Sequence, residues 1–260
     1  MENLSADMLP GFTPPPDPDI FIWRYMDLPK YISLLSTKCL YFSRADRLGD
    51  PFEGSFPQQN IEARKELLRK FMAEIGSEHL APDFYDQSLA AFSDTHKKLV
   101  KSVYVSCWHM NPDESAGMWS IYSRDYKGIA VRSTYRRLIS STTKNINISV
   151  VTYIDFEQSP LEEITLFSSF LHKRKSFEHE QELRAVKIDI DHDGIVNGDW
   201  PNTQSEGLYI PVDIKQLVEA VYVAPYCDEW YKNLVVDVTS RFGFASFDIK
   251  KSQLDKDPYF

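Results

Sequence analysis

The segment "IFIWRYM", Ile20 to Met26, constrains the fold more than any other stretch of the chain. Its residues are β-formers, and alternate residues of a strand share a face. One face carries Ile20, Ile22, Arg24 and Met26, the other Phe21, Trp23 and Tyr25. Both are largely apolar, so both are expected to be covered. Arg24 then stands in an apolar strand. A buried guanidinium without partners costs several kcal/mol, so it should meet a carboxylate or a phosphate. An internal salt bridge, to Glu53 or to a glutamate further along, is the structural reading; an anion site is the functional one.

Around this strand the chain reads as mixed elements. "DLPKYISLLSTK" predicts a short helix, with Asp27 as cap and Pro29 in the first turn. "CLYFS" is a second strand, and "RADRLGDPFEGSFP" a loop. From Ile61 to about Lys101 the spacing turns helical. Ile61, Leu67, Leu68, Phe71 and Ile75 fall near one stripe, and Asp83 to Val100 reads as a second helix. These two form an inserted helical pair at about 61–101. "SVYVSCWHM", "KGIAVRST", "NISVVTYIDF", "LYIPVD", "LVEAVYVAP" and "ASFDIKKS" read as strands. "ESAGMWSIYS", "PLEEITLFSSFLHKRKSF", a short stretch from Asp213, and "CDEWYKNLVVDVTSRFG" read as helices, and "DHDGIVNGDWPNTQSEG" as a polar loop. No regular βαβ rhythm emerges. The expected class is α+β, with a mixed, mainly antiparallel central sheet. Residues 1–19 form a proline-rich lead-in, and 20–260 a single α+β domain.

Bulk properties narrow the function classes. The 260 residues carry a formal net charge of −9, which argues against a general electrostatic hold on nucleic acid. No segment approaches the roughly 18 consecutive apolar residues of a membrane span. "MENLSADMLPGF" lacks the basic start and apolar core of a secretion signal. Cys39, Cys107 and Cys227 are few, odd in number and far apart, which fits a reducing cytoplasm. A cytoplasmic protein is expected.

In "KRKSFEHEQELRAVKIDI" three glutamates, Glu178, Glu180 and Glu182, fall two apart where an apolar strand begins. On a continuous strand they would share a side with Arg184, Val186 and Ile188. Side chains of Glu180 and Glu182 would start about 7 Å apart, close enough for one pKa to rise. Such a pair suits acid–base work or the stabilisation of a sugar cation. The competing reading is a solvated strand end with Arg184 and Lys175 as partners. In "VYVSCWH", Cys107 reads as core, whereas Ser106 and Trp108 are candidate pocket residues. His109, Asp113 and Glu114 match no metal-ligand spacing, and no metal site is expected. "HKRK", His172 to Lys175, is a small basic patch.

Taken together, "IWRYMDLPKYISLLSTKCLYFSRADRLGDPFEG", "VSCWHMNPDESAGMWSIYS" with "GIAV", "KRKSFEHEQELRAV" and "VEAVYVAP" resemble a bacterial family known as domain of unknown function 2971. That resemblance spans roughly residues 20 to 250 and implies no activity. A second, looser one does. An Arg-bearing first strand, a helix, a "CLYFS"-like strand, a Ser-bearing strand and a Glu-x-Glu strand look like ADP-ribosyltransferase-type domains. The order here is Arg24, Ser106, then Glu180-Gln181-Glu182, with "VSCW" departing from a clean Ser-x-Ser. This resemblance implies an ADP-ribosyltransferase-like core with NAD as substrate. Arg24 would hold the NAD phosphates or ribose, and Ser106 would help position the nicotinamide ribose. Glu182 would bind the ribose 2′-hydroxyl and stabilise the oxocarbenium ion, and Glu180 would orient or activate the acceptor. Tyr25, Tyr41, Trp119 and Tyr122 would wall the pocket. It further implies a macromolecular acceptor and a toxin or phage-defence role. Two other readings stand beside it. One is a non-catalytic module sensing a nucleotide or phosphorylated ligand through Arg24. The other is a structural subunit in which Arg24 and the glutamates form a buried ion network.

Overall fold

The computed structural model describes residues 9–76, 80–142, 145–162, 164–201 and 205–259. "IFIWRYM" becomes β1 (Phe21–Asp27), and α1 (Leu28–Thr37) follows at once. The Asp27 carboxylate accepts from the Lys30 amide at 2.8 Å, the cap expected of it. The helix ends where Lys38 turns left-handed, and β2 (Cys39–Arg44) begins. The helical pair is α2 (Gln58–Ile75) and α3 (Phe84–Val100). Then come β3 (Val103–Met110), α4 (Ala116–Tyr122), β4 (Gly128–Thr134), α5 (Tyr135–Ser141), β5 (Asn147–Val150), β6 (Thr152–Ile154) and β7 (His172–Arg174). β8 (Glu182–Ile188), α6 (His192–Asn197), β9 (Gly207–Pro211), α7 (Ile214–Leu217), β10 (Ala220–Val223), α8 (Glu229–Arg241) and β11 (Ile249–Lys251) complete the chain.

Nine of the described strands form one sheet, antiparallel except for the β10–β11 pair. Its backbone order is β11-β10-β4-β1-β3-β2-β9, and β8 and β5 extend it from β3. The class is therefore α+β with a mainly antiparallel sheet. One face packs on α1, α5, α7 and α8 through Tyr31, Leu35, Leu138, Leu217, Tyr231 and Val235. The other face is covered in two patches, one around Val103, Val105, Phe170 and Val186, the other around Trp23, Tyr25, Trp119 and Tyr222. Strand β1 is covered on both faces, as its composition requires. Each such fully buried apolar side chain contributes about 1.5–3 kcal/mol.

The sheet forks at β3. One edge of β3 pairs along its length with β8. The other edge is shared: Met110 and His109 face Ile22 and Trp23 of β1, whereas Val105 and Tyr104 face Ser43 and Arg44 of β2. Between these contacts, β1 and β2 part, and Ser106 to Trp108 border the gap. Unpaired backbone in a buried gap needs other partners, and the gap is where Arg24 sits.

Four local expectations fail. "PLEEITLFSSFLHKRKSF" is not a helix. It contains a 3-10 turn at Ser168–Phe170, strand β7 paired parallel with β6, and a 3-10 turn at Lys175–Glu180. Its apolar residues leave in different directions, Leu161 tied by backbone bonds to the Asn60 side chain and Phe170 buried against β3. "NISVVTYIDF" breaks into β5 and β6, and the loop after β8 carries α6. The α2 stripe also turns outward: Leu67, Phe71 and Ile75 are exposed. The partly buried side runs through Ile61, Leu68 and Met72. From Leu9 onward the lead-in lies along β5, where Val150 donates to the Thr13 carbonyl at 2.9 Å; its first eight residues lie outside the described part.

Candidate functional site

Arg24 projects from the β1 face of Ile22 and Met26 into the fork. Its guanidinium donates to the Ser106 hydroxyl at 2.5 Å and to the Tyr41 carbonyl at 2.7 Å. The Trp108 ring lies beneath it at 5.7 Å. Among the described residues, the salt bridge to Glu53 or the glutamates, one of the two readings of Arg24, is not formed. Every partner of Arg24 is neutral, and burial lowers its pKa to about 10 with no carboxylate among the groups that raise it. A guanidinium has five N–H donors, so after two hydrogen bonds it retains capacity for an anion.

The glutamates are arranged otherwise than a continuous strand would place them. Glu178 and Glu180 belong to the 3-10 turn, Gln181 adopts a left-handed φ of 41°, and only Glu182 starts β8. The kink breaks the two-residue alternation, yet Glu180 and Glu182 still converge on one ammonium. Lys173 of β7 donates to Glu180 at 2.5 Å and to Glu182 at 3.0 Å, and pairs with Glu53 at 3.4 Å. Arg184 takes the far side of the cluster. It binds Glu182 at 2.6 Å, Glu53 at 2.8 Å and the Phe170 carbonyl at 2.8 Å. Glu182 is also fixed through its backbone amide, which donates to the Tyr153 hydroxyl. A bidentate Arg174–Asp50 pair, at 2.7 and 3.0 Å, anchors the strand that carries Lys173 to the "GDPFEG" loop that carries Glu53.

These contacts separate the two carboxyls. Burial pushes Glu180 up, the adjoining Glu182 carboxylate adds to the rise, and its pKa reaches about 7. Burial would push Glu182 the same way, but Arg184, then a hydrogen bond with Glu180, then Lys173 overcome it and hold its carboxyl well below the usual range. The contacts thus favour the ionised form of Glu182 and the protonated form of Glu180. That is the signature of a differentiated acid–base pair.

Both charge centres open onto one cavity of about 950 Å³. Its lining includes Arg24, Met26 and Leu34 from one side of the forked sheet, and Tyr25, Cys107, His109, Lys173, Glu180 and Glu182 from the other. Tyr41 and Tyr209 meet edge to face at 5.2 Å and line it as well. Residue 207 must be glycine there, because a Cβ would lie 2.3 Å from the Tyr41 ring. Of the aromatic residues expected in the wall, Tyr25, Tyr41 and Tyr122 line the cavity. Trp119 does not. It is buried behind Tyr25, edge-on at 4.9 Å, with its indole N–H on Glu114. Ser106 is likewise behind the surface, supporting Arg24 rather than facing the space. His109 adds an unanticipated polar wall: its Nδ1 donates to the Glu180 carbonyl at 2.7 Å, while Nε2 is buried without a partner. Lys173, part of the small basic patch "HKRK", is buried at 7% exposure. Among the described residues, no group of three His, Cys, Asp or Glu side chains is set to hold a metal ion, and no helix is long and apolar enough to cross a membrane.

No family model matches the chain, and no curated protein matches it. Membership of the family of unknown function therefore stays an expectation from the motifs. Among solved structures, DarT of Thermus sp. 2.9 in complex with carba-NAD+ aligns over 93% of this chain and 98% of its own, at 8% identity and a TM-score of 0.36. An alignment that loose carries no weight for the fold or the activity.

Proposed function

We propose that the cavity binds NAD and cleaves its nicotinamide–ribose bond, passing ADP-ribose to water or to a macromolecule. One observation carries this reading: a guanidinium held only by neutral groups and a differentiated carboxyl pair open onto the same cavity. The cavity's size sits toward the upper end of the roughly 300–1,000 Å³ of small-molecule sites, which suits a dinucleotide. In this reading Arg24 takes the pyrophosphate by charge-assisted hydrogen bonds, and Tyr25, Tyr41 and Tyr122 contact the rings. The C1′–N bond breaks, its electron pair leaves with nicotinamide, and positive charge develops on the ribose. Glu182, fixed and ionised, stabilises that charge and accepts from the 2′-hydroxyl. Glu180, as carboxylate, takes the proton of the nucleophile that closes on C1′. Ser106 acts through Arg24. The macromolecular acceptor, and a toxin or phage-defence role with it, come from the motif resemblance alone.

The test is nicotinamide release from NAD by the purified protein, together with transfer of label from adenylate-labelled NAD to lysate components. Release should fall at least 100-fold in Glu182→Gln while thermal unfolding shows a folded variant; equal turnover by both proteins removes the assignment. One feature favours a second reading. Both Glu182 oxygens are committed to Lys173 and Arg184, as suits a sensor that binds a phosphorylated ligand without chemistry. Calorimetric binding of NAD with no nicotinamide release would select it.

A further inference from the structure

The Lys173 ammonium stands among three carboxylates, Glu180 at 2.5 Å, Glu182 at 3.0 Å and Glu53 at 3.4 Å, on the wall of the cavity. Arg184 touches two of the three, Glu182 and Glu53, and leaves Glu180 alone. Glu182 thus faces two cations and Glu180 one. The asymmetry comes from Arg184, whereas Lys173 reaches both carboxyls and lies nearer Glu180. The Lys173 ammonium lies over the Phe177 ring at 4.7 Å, and the strand that carries it is locked by Arg174 on Asp50.

We infer that Lys173 is a positioning residue that keeps Glu180 available as a carboxylate and so as the proton carrier, while Arg184, which touches Glu182 and not Glu180, fixes Glu182 as the permanent anion. This rests on the proposed cleavage for its catalytic meaning, but not for its electrostatic content. The nucleophile's proton goes to the Glu180 carboxylate as the nucleophile–C1′ bond forms and leaves to solvent afterwards, so no other reactant is needed. The groups facing Glu180 are Lys173 from β7, Glu182 from β8 with Arg184 behind it, Tyr122 from α4, and His109 from β3 at its backbone carbonyl. Glu53 reaches it through the shared ammonium, and His179 precedes it in the turn. Of these, Lys173 is the cation in direct contact.

The experiment is a 13C NMR titration of δ-labelled glutamates, assigned with Glu180→Gln and Glu182→Gln, run beside a pH profile of nicotinamide release. In the wild type, Glu180 should titrate near neutrality, at about 7, while Glu182 stays ionised across the accessible range. In Lys173→Met the Glu180 midpoint should rise by about one unit or more, because a neighbouring cation favours the charged form. Release near pH 7 should then drop about fivefold and recover in more alkaline buffer, a recovery that a merely structural role would not give. Lys173→Arg should restore the wild-type midpoint. Should Lys173→Met fail to fold, the wild-type titration still decides: both carboxyls titrating together in the ordinary acidic range overturns the inference, as does an unmoved midpoint in a folded variant. The expected shifts without nicotinamide release from any protein would uphold the inference and sink the NAD reading instead.

Discussion

Arg24 lines the cavity and Arg184 stands behind its Glu182 wall, and the surroundings of the two arginines are opposites. Arg184 on β8 is fully buried and bonded to two carboxylates and a carbonyl. Arg24 on β1 is half-buried and bonded to a hydroxyl and a carbonyl. The shifts follow: carboxylates hold Arg184 above the ordinary guanidinium range despite burial, whereas burial dominates at Arg24 and lowers it, with no carboxylate to offset it. A charge that the protein neutralises for itself is part of the scaffold. A charge supported by dipoles and left short of an anion is prepared for a ligand. The fork in the sheet makes the contrast possible, since Arg24 fills a gap between diverging strands while Arg184 lies in a fully paired one.

The comparison is broken most directly at Arg184. Arg184→Met strips Glu182 and Glu53 of a buried partner, and removing one side of such a network costs about 3–5 kcal/mol. Urea unfolding should show that loss; a change below about 1 kcal/mol would mean the cluster is not structural. Arg24→Met should do the reverse. Stability should change by less than about 1 kcal/mol, because no carboxylate is abandoned, while affinity for NAD falls by about 2–3 kcal/mol, or roughly 30- to 150-fold, the worth of charge-assisted bonds to phosphate. Calorimetry on the folded variant reads the second number directly. Equal destabilisation by both substitutions would erase the distinction between the two arginines.

How much of this was legible beforehand follows the range of the interactions involved. Arg24 stood out because a charge in a doubly apolar strand is a local anomaly, and Asp27, Pro29 and the α8 pattern are local signals too. The glutamates were visible as a cluster, but their strand-like alternation was not real; a left-handed Gln181 and a turn that bonds to itself override the two-residue spacing. Lys173 could not be picked from "HKRK". Its burial depends on β7 pairing with β6 and on Glu53 arriving from a distant loop, and neither contact leaves a trace in the spacing of nearby residues. The α2 stripe misled for a related reason. Periodicity reports that a helix has an apolar side, not which side another element covers, and α3 takes the neighbouring one.

The finest test of the comparison concerns Glu180, the one acid of the cluster that Arg184 does not touch. Its folded-state pKa is raised from 4.5 to about 7, through burial first and Glu182 second. A raised carboxyl means the folded protein holds that proton more tightly than the unfolded chain does. The associated stability is fully present below about pH 4.5 and is lost as the pH climbs through about 7. Glutamine mimics the protonated form at every pH. Glu180→Gln should therefore match the wild type near pH 4.5 and exceed it above neutrality by about 1–3 kcal/mol, the shift expressed as free energy and reduced for partial exposure. Paired urea titrations at the two ends of that range cancel the titrating groups that Glu180 does not touch, leaving Glu180 and the neighbours it acts on. A gap that stays constant with pH would place Glu180 with Arg24, in surroundings the cluster does not control, and the proton carrier would have to be sought elsewhere on the cavity wall.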